Sequence, residues 1–252
     1  MPIFTRVAGA VWAVVMALAL LPAARAAETN IAVAANFTEA IKEIGAAFEK
    51  KTGHKAIFSF GATGQFFAQI SQGAPFDVFL SADQTTATKA GADGFAVPAS
   101  QFSYAEGKLV LYSKNKDAVK GDQTLKDAKF QKIAIASPAA APYGAAAVET
   151  MKKLGVYDNL SSRIVEGQNI TQAFQFIETG NAEVGFVALS QMVANTGGSR
   201  WIVSSALYSP IKQDAILLKR GEANPAAKEF IAFLKGPEAT QVKEKFGYGP
   251  GQ

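Results

Sequence analysis

No cysteine occurs in the 252 residues, and only one histidine, His54. The first absence excludes disulfides and thiolate metal sites, even in a compartment that permits bridges. The second leaves a single imidazole, and its place after Thr52-Gly53 reads as a solvated loop residue rather than a ligand or base. An excess of one charge is missing too. Lys and Arg number 25 against 21 Asp and Glu; taking off Arg6 and Arg25 leaves 23 against 21, a net charge of +2 beyond residue 26. That balance argues against a nucleic-acid partner. Beyond the N-terminal segment no uncharged run is long enough to span a membrane, which takes about 20 apolar residues.

The N-terminal segment itself is the exception. Arg6 is followed by Val7–Leu21 without a charge, then Pro22 and Ala24-Arg25-Ala26. A short basic region, an apolar core and a small-x-small site make a secretory signal peptide over residues 1–26, cleaved after Ala26 or one residue later. Roughly 225 residues then remain, enough for one large domain or two small ones.

What is present is an alternation of strands and helices, set by Ile31–Phe48. The apolar run Ile31–Ala35 reads as a buried strand. Asn36, with Glu39 three residues on, then reads as a capping box opening a helix with Ile41, Ile44 and Phe48 on one face. Further strands are read at Lys55–Phe60, Asp77–Ser81, Lys108–Ser113, Lys132–Ser137, Arg163–Glu166, Val184–Ala188, Trp201–Val203 and Asp214–Leu218, with Phe95–Ser103 irregular. Helices are expected over Gln65–Gln72 with Thr63 as cap, from Asp83, around Val148, Met151 and Leu154, and around Ile170, Ala173, Phe174 and Ile177. The last two run over Pro225–Leu234 and Glu238–Phe246. The alternation predicts an α/β fold with mostly parallel sheets.

Ligands of such sheets sit beyond the strands' carboxyl ends, where helix N-termini point. Four junctions have small or amide-bearing tips: Ala35-Asn36, Gly61–Gly64, Pro142–Gly144 and Gln168–Ile170. A helix N-terminus offers unpaired N–H groups and partial positive charge, hence a place for an anion without Lys or Arg. Apart from Glu39, the tips carry no acidic, basic, imidazole or thiol group, so they suit neither a cation nor a protonated ligand. Singly, such residues do no more than cap helices; four together predict a cradle for a fully ionised oxyanion. Asp77 and Asp83 flank one short strand at opposite ends, which excludes a shared metal. Asp83 is read as a helix cap or hinge-side residue and Asp77 as a structural group.

These stretches resemble the periplasmic molybdate-binding proteins of ABC transporters. The motifs are Val33–Phe37, Ser59–Gly64, Gly73–Asp83, Ala141–Gly144, Gly180–Ala188 and Phe233–Pro237. The resemblance implies a two-lobed, type II periplasmic-binding-protein fold, each lobe a mostly parallel sheet flanked by helices, with ligand in the interlobe cleft. It implies lobes of residues 27–105 plus 211–252, and 106–210. It also implies oxyanion contacts from Asn36 (side chain and backbone), the Thr63 hydroxyl, the backbone N–H groups of Tyr143 and Ile170, and Ala35 or Tyr143 for any further donor. Some members use a tyrosine hydroxyl at the position of Ala188, which alanine cannot supply. The implied function is capture of molybdate or tungstate in the periplasm by a monomer, for delivery to a membrane permease. Molybdenum would enter only as the anion through these same residues, with no cation site and no cofactor. A sulfate or other oxyanion carrier is the alternative in the same class. A phosphate-handling enzyme is the alternative in another, and it would need a base, nucleophile or metal that the tips do not show.

Overall fold

The structure, a computed structural model, describes residues 26–251. The signal peptide expected over residues 1–26 therefore lies, save for Ala26, outside the described residues. Among the described residues no helix is long and apolar enough to cross a membrane.

Strands that feed helices pair in parallel. β1 (Glu28–Ala34) passes through a 3-10 turn, Ala35–Phe37, into α1 (Thr38–Thr52), and β2 (Lys55–Gly61) returns beside β1. α2 (Thr63–Ser71) leads to β3 (Val78–Leu80) on the other side of β1, followed by α3 (Gln84–Ala92) and β4 (Phe102–Gly107). A second unit follows. It comprises β5 (Leu109–Ser113), α4 (Gln123–Asp127), β6 (Ile133–Ala136), α5 (Pro142–Lys153), α6 (Tyr157–Leu160), β7 (Ile164–Gly167), α7 (Ile170–Glu178), β8 (Val184–Ala188) and β9 (Ser199–Ile202). β10 (Ile211–Leu217) returns to the first sheet, and α8 (Pro225–Leu234), α9 (Pro237–Lys245) and β11 (Gly249–Pro250) complete the described chain. The sheet orders are β11-β4-β10-β3-β1-β2 and β7-β6-β8-β5-β9. The chain thus passes between the sheets twice, at Lys108 and between β9 and β10.

The pairing is more mixed than the alternation predicts. Parallel pairs occur where a helix crosses over: β1 with β2 and β3, and β6 with β7 and β8. The strands next to the two passages, β4, β5, β9 and β10, enter or leave without such a helix, and they pair antiparallel. Phe95–Ser103, expected to be irregular, ends in the start of a strand: Phe102 and Ser103 open β4, in which Ala105 and Glu106 pair with Gln213 and Lys212. The passage consequently lies past Gly107, two residues beyond the expected Ala105-Glu106. On the return, strand pairing starts at Ile211 rather than Asp214.

Each sheet is covered on both faces, as buried parallel strands require. In β1, Ile31 and Val33 join Phe37, Ile44, Phe48 and Phe230 on one face. Ala32, between them, joins Phe66, Ile70, Phe79 and Ile216 on the other. The core of the second sheet gathers Leu109, Leu111, Ile133, Ile135, Met151, Ile177 and Phe186. It also takes in Ala35 and Ala62 from the first unit, so the two units are packed together where those residues lie.

Candidate functional site

The carboxyl ends of β1, β2, β6 and β7 deliver four helix starts to one small cavity. Its lining includes Ala35, Asn36, Thr63, Tyr143 and Ile170, all five residues singled out in the sequence, together with Asn169 and Pro142. The cavity measures about 10 Å³, about the space of a single water. None of its lining residues is ionisable near neutrality.

The donors can be counted helix by helix. At α7, Asn169 is the cap, and its Oδ1 accepts from Thr171 N (3.0 Å) and Gln172 N (3.1 Å). Ile170 N–H, ahead of those two, has no acceptor among the described residues. At α5, Pro142 has no N–H and Gly144 N donates back to Ala141 O (2.9 Å). Tyr143 N–H is left in the same position as that of Ile170. At α2 the cap is Ala62, not Thr63. Thr63 is buried, and its hydroxyl accepts from Ala82 N (2.9 Å), which leaves the hydroxyl proton without a protein acceptor among the described residues.

Asn36 departs from the capping box expected of it. The helix is entered through the 3-10 turn, the cap position of α1 is Phe37, and no side chain caps it. Glu39 pairs instead with Lys42 at 2.9 Å. The Asn36 side chain is buried, and its Nδ2 donates to Gln213 Oε1 (2.8 Å) and Tyr248 OH (3.2 Å). Both amide protons are thereby used inside the protein, leaving the backbone N–H of the turn as this residue's free donor.

Beneath the cavity these groups join one neutral network. Tyr248 OH and Ser190 Oγ both donate to Asn36 O, at 2.7 and 2.8 Å. Tyr104 OH donates to Gln213 Oε1 (2.9 Å), and Gln213 Nε2 reaches Tyr143 OH (3.4 Å). Burial raises the pKa of Tyr104, Tyr143 and Tyr248 above the ordinary phenol value, so all three stay neutral at physiological pH. Several bonds here run from one unit to the other: Ser190 to Asn36, Gln213 to Tyr143, and Gly64 N to Ala140 O (2.9 Å). The cleft is closed.

The other residues noted in the sequence lie elsewhere. Asp83 caps α3, accepting from Thr86 N. Asp77 is buried and accepts from Asn30 N (2.9 Å), Asn224 Nδ2 (3.2 Å) and Arg220 Nε (3.3 Å), so it pins the start of β1. Among the described residues no cluster of His, Cys, Asp or Glu could hold a metal. Ala188 is fully buried in β8 and does not line the cavity. His54 is a correction: it is buried, held between Ala27 N and Glu229, not a solvated loop residue. The network partners Gln213, Tyr248 and Ser190 carry no local signal; only long-range pairing brings them under Asn36.

A family model described as bacterial extracellular solute-binding protein matches residues 29–249. The chain is 55% identical over 236 residues to the molybdate-binding protein ModA of Rhodobacter capsulatus, covering 94% of this chain and 93% of that protein. It is 53% identical over 232 residues to the ModA of Azotobacter vinelandii, covering 90% and 92%. Its fold matches a solved periplasmic molybdate-binding protein of Azotobacter vinelandii with a TM-score of 0.86 and 37% identity, over 89% of this chain and 100% of that one.

Proposed function

The chain belongs to the bacterial extracellular solute-binding proteins, alongside the periplasmic molybdate-binding proteins of ABC transporters, and from that premise we propose that it captures molybdate, and tungstate equally, for delivery to an ABC permease. One observation carries the reading: the cleft between the two units ends in a cavity ringed by helix N-termini, with spare N–H and O–H donors and no charged side chain. A tetrahedral dianion placed there receives hydrogen bonds from the backbone of Ala35 and Asn36, the Thr63 hydroxyl, and the backbone N–H groups of Tyr143 and Ile170. Each is a charge-assisted bond, and the helix dipoles add to them. Tungstate has nearly the size and charge of molybdate, so the same donors serve both.

Closure follows from having donors on both units. With the passage past Gly107, the proposed lobes are residues 27–107 with 211–252, and 108–210; an anion touching Thr63 on one and Ile170 on the other favours the closed arrangement over an open one. A permease can then recognise the loaded form by its shape. The leader directs export and is removed in that step, after Ala26 or one residue later, and the chain acts as a monomer without cofactor. Catalysis forms no part of the reading, because among the described residues the lining holds no His, Cys, Asp or Glu to serve beside the Thr63 hydroxyl as base, nucleophile or metal ligand. Calorimetric titration of the purified chain tests it. Tight, saturable molybdate binding at one site is expected, and failure to bind either molybdate or tungstate would remove the proposal.

A further inference from the structure

His54, the only histidine of the chain, sits at the end of β1 opposite the cavity and is only 8% exposed. Its ring is gripped from both sides. Ala27 N donates to Nδ1 at 3.0 Å, and Nε2 lies 3.0 Å from Glu229 Oε2 on α8. A nitrogen that accepts from an N–H carries no proton, so the ring proton is on Nε2 and is given to Glu229. Ala27 also holds the start of the β1–β2 ladder: its carbonyl accepts from Lys55 N at 2.9 Å, just ahead of the first pair, Glu28–Lys55. Ala26, one residue earlier, is exposed.

The boundary between a hydrogen-bonded residue and an exposed one therefore falls on the Ala26–Ala27 bond, one of the two positions at which the Ala24-Arg25-Ala26 pattern places cleavage. We infer that His54 and Glu229 form the docking site for the new N-terminus of the processed chain, an α-ammonium group. In that step a protease of the export machinery directs water onto the Ala26 carbonyl and the C–N bond breaks. Ala26 leaves as a carboxylate, and the Ala27 nitrogen takes up protons to become the ammonium. It stays where its amide N–H now points, so a neutral donor to Nδ1 becomes a charged one with the Glu229 carboxylate behind the ring. Cleavage one residue later would strip both Ala27 bonds and leave a buried Nδ1 without its donor. This inference rests on the proposed export of the chain.

Two measurements separate the inference from that reading. Mass spectrometry of the protein recovered from the periplasm reports the first residue. Ala27 is expected; a start at Glu28, or an uncleaved leader, overturns the processing step itself. Independently, the chain is prepared in vitro with a free Ala27 amine and with a Gly-Ser extension ahead of it. The free form should melt higher by about 2–4 °C, the shift that ~1 kcal/mol produces in a domain of this size. The difference should vanish in His54→Ala and in Glu229→Gln, while molybdate affinity stays unchanged. Should His54→Ala fail to fold, the ring nitrogen signals of the single histidine still decide in the unmutated chain. They should differ between the free and extended forms, with Nδ1 unprotonated in both. Equal melting temperatures together with identical ring signals would overturn the docking site even if Ala27 is the first residue.

Discussion

Thr63 shows how much one side chain can be asked to do. Its hydroxyl accepts from the buried Ala82 N–H and has its proton left over beside the cavity. Thr63→Ala should weaken molybdate binding by about 1–3 kcal/mol, the worth of a hydrogen bond to a charged group. The Ala82 N–H is also orphaned, so the unliganded fold should lose about 1–3 kcal/mol as well. Thr63→Ser keeps both bonds and should restore both quantities; calorimetry and denaturant melts of the two variants check this. Asn36→Ala acts differently. It removes the donor to Gln213 and Tyr248 and so disturbs the network under the cavity rather than a ligand bond. At this scale the sequence was legible only in part. All five singled-out residues reach the cavity, because each stands at a strand end followed by a helical stripe. The roles of Asn36 and His54 were not legible, because their partners lie 177 and 27 residues away.

At the scale of elements, the donors are placed by close contacts between helix starts and strand ends. Gly144 is the clearest case. A Cβ there would lie 2.1 Å from Ala136 O, a main-chain atom that cannot swing aside. Gly144→Ala must push α5 away from β6 and move the Tyr143 N–H with it. It should destabilise the fold by about 1–3 kcal/mol, as overpacking does, and weaken binding beyond what Thr63→Ala removes; melts and titrations of the same preparation measure both. Gly107 plays the matching part across the units, since a Cβ there would meet Tyr143 OH at 2.0 Å and Gln213 Nε2 at 2.7 Å. Helices with clear stripes and stops, such as α7 and α8, were legible from their periodicity. β4 and the two-residue β11 were not. Phe102–Gly107 has no long apolar run, and it is a strand because β10 and β11 pair on either side of it.

The same elements fix the response to pH and salt. The cavity holds no group that titrates between about pH 6 and pH 9, and the buried tyrosines have pKa values raised by loss of water. Affinity for molybdate should be flat across that range, and it should fall little with added salt because fixed dipoles in a closed cleft are poorly screened. A raised phenol pKa stabilises the fold below the unfolded value of about 10 and is progressively lost above it, as the unfolded chain ionises. Melting temperature should therefore drop on going above about pH 10, with binding unaffected up to that point. Titrations at several pH values and salt concentrations, run beside melts, separate the two effects. A steep loss of affinity with salt would point to a Lys or Arg in the site.

Selectivity belongs to the whole molecule, because it depends on how far apart two packed units stop. Phosphate should be excluded by its proton: near neutrality it carries one or two, and the cavity offers donors and no carboxylate to accept them. Burying that mismatch costs on the order of 1–3 kcal/mol for each unpaired group. Sulfate is a bare dianion like molybdate, so charge and protonation cannot reject it. What remains is size. The units meet through Gly64 N to Ala140 O at 2.9 Å and Ser190 Oγ to Asn36 O at 2.8 Å, bonds that set a fixed stop. A smaller tetrahedron held at that stop touches one side and leaves stretched bonds on the other, a loss of several kcal/mol or roughly a few orders of magnitude in affinity. Molybdate and tungstate should therefore bind tightly and alike, sulfate far more weakly and phosphate hardly at all. If the stop is the cause, loosening it should shrink the gap. Ser190→Ala removes one of the bonds without touching a donor to the anion. If the original separation is matched to the larger ion, it should weaken molybdate binding more than sulfate binding. Parallel titrations of both proteins with both anions decide the matter: an unchanged ratio would move the origin of selectivity from the stop between the units to the donors themselves.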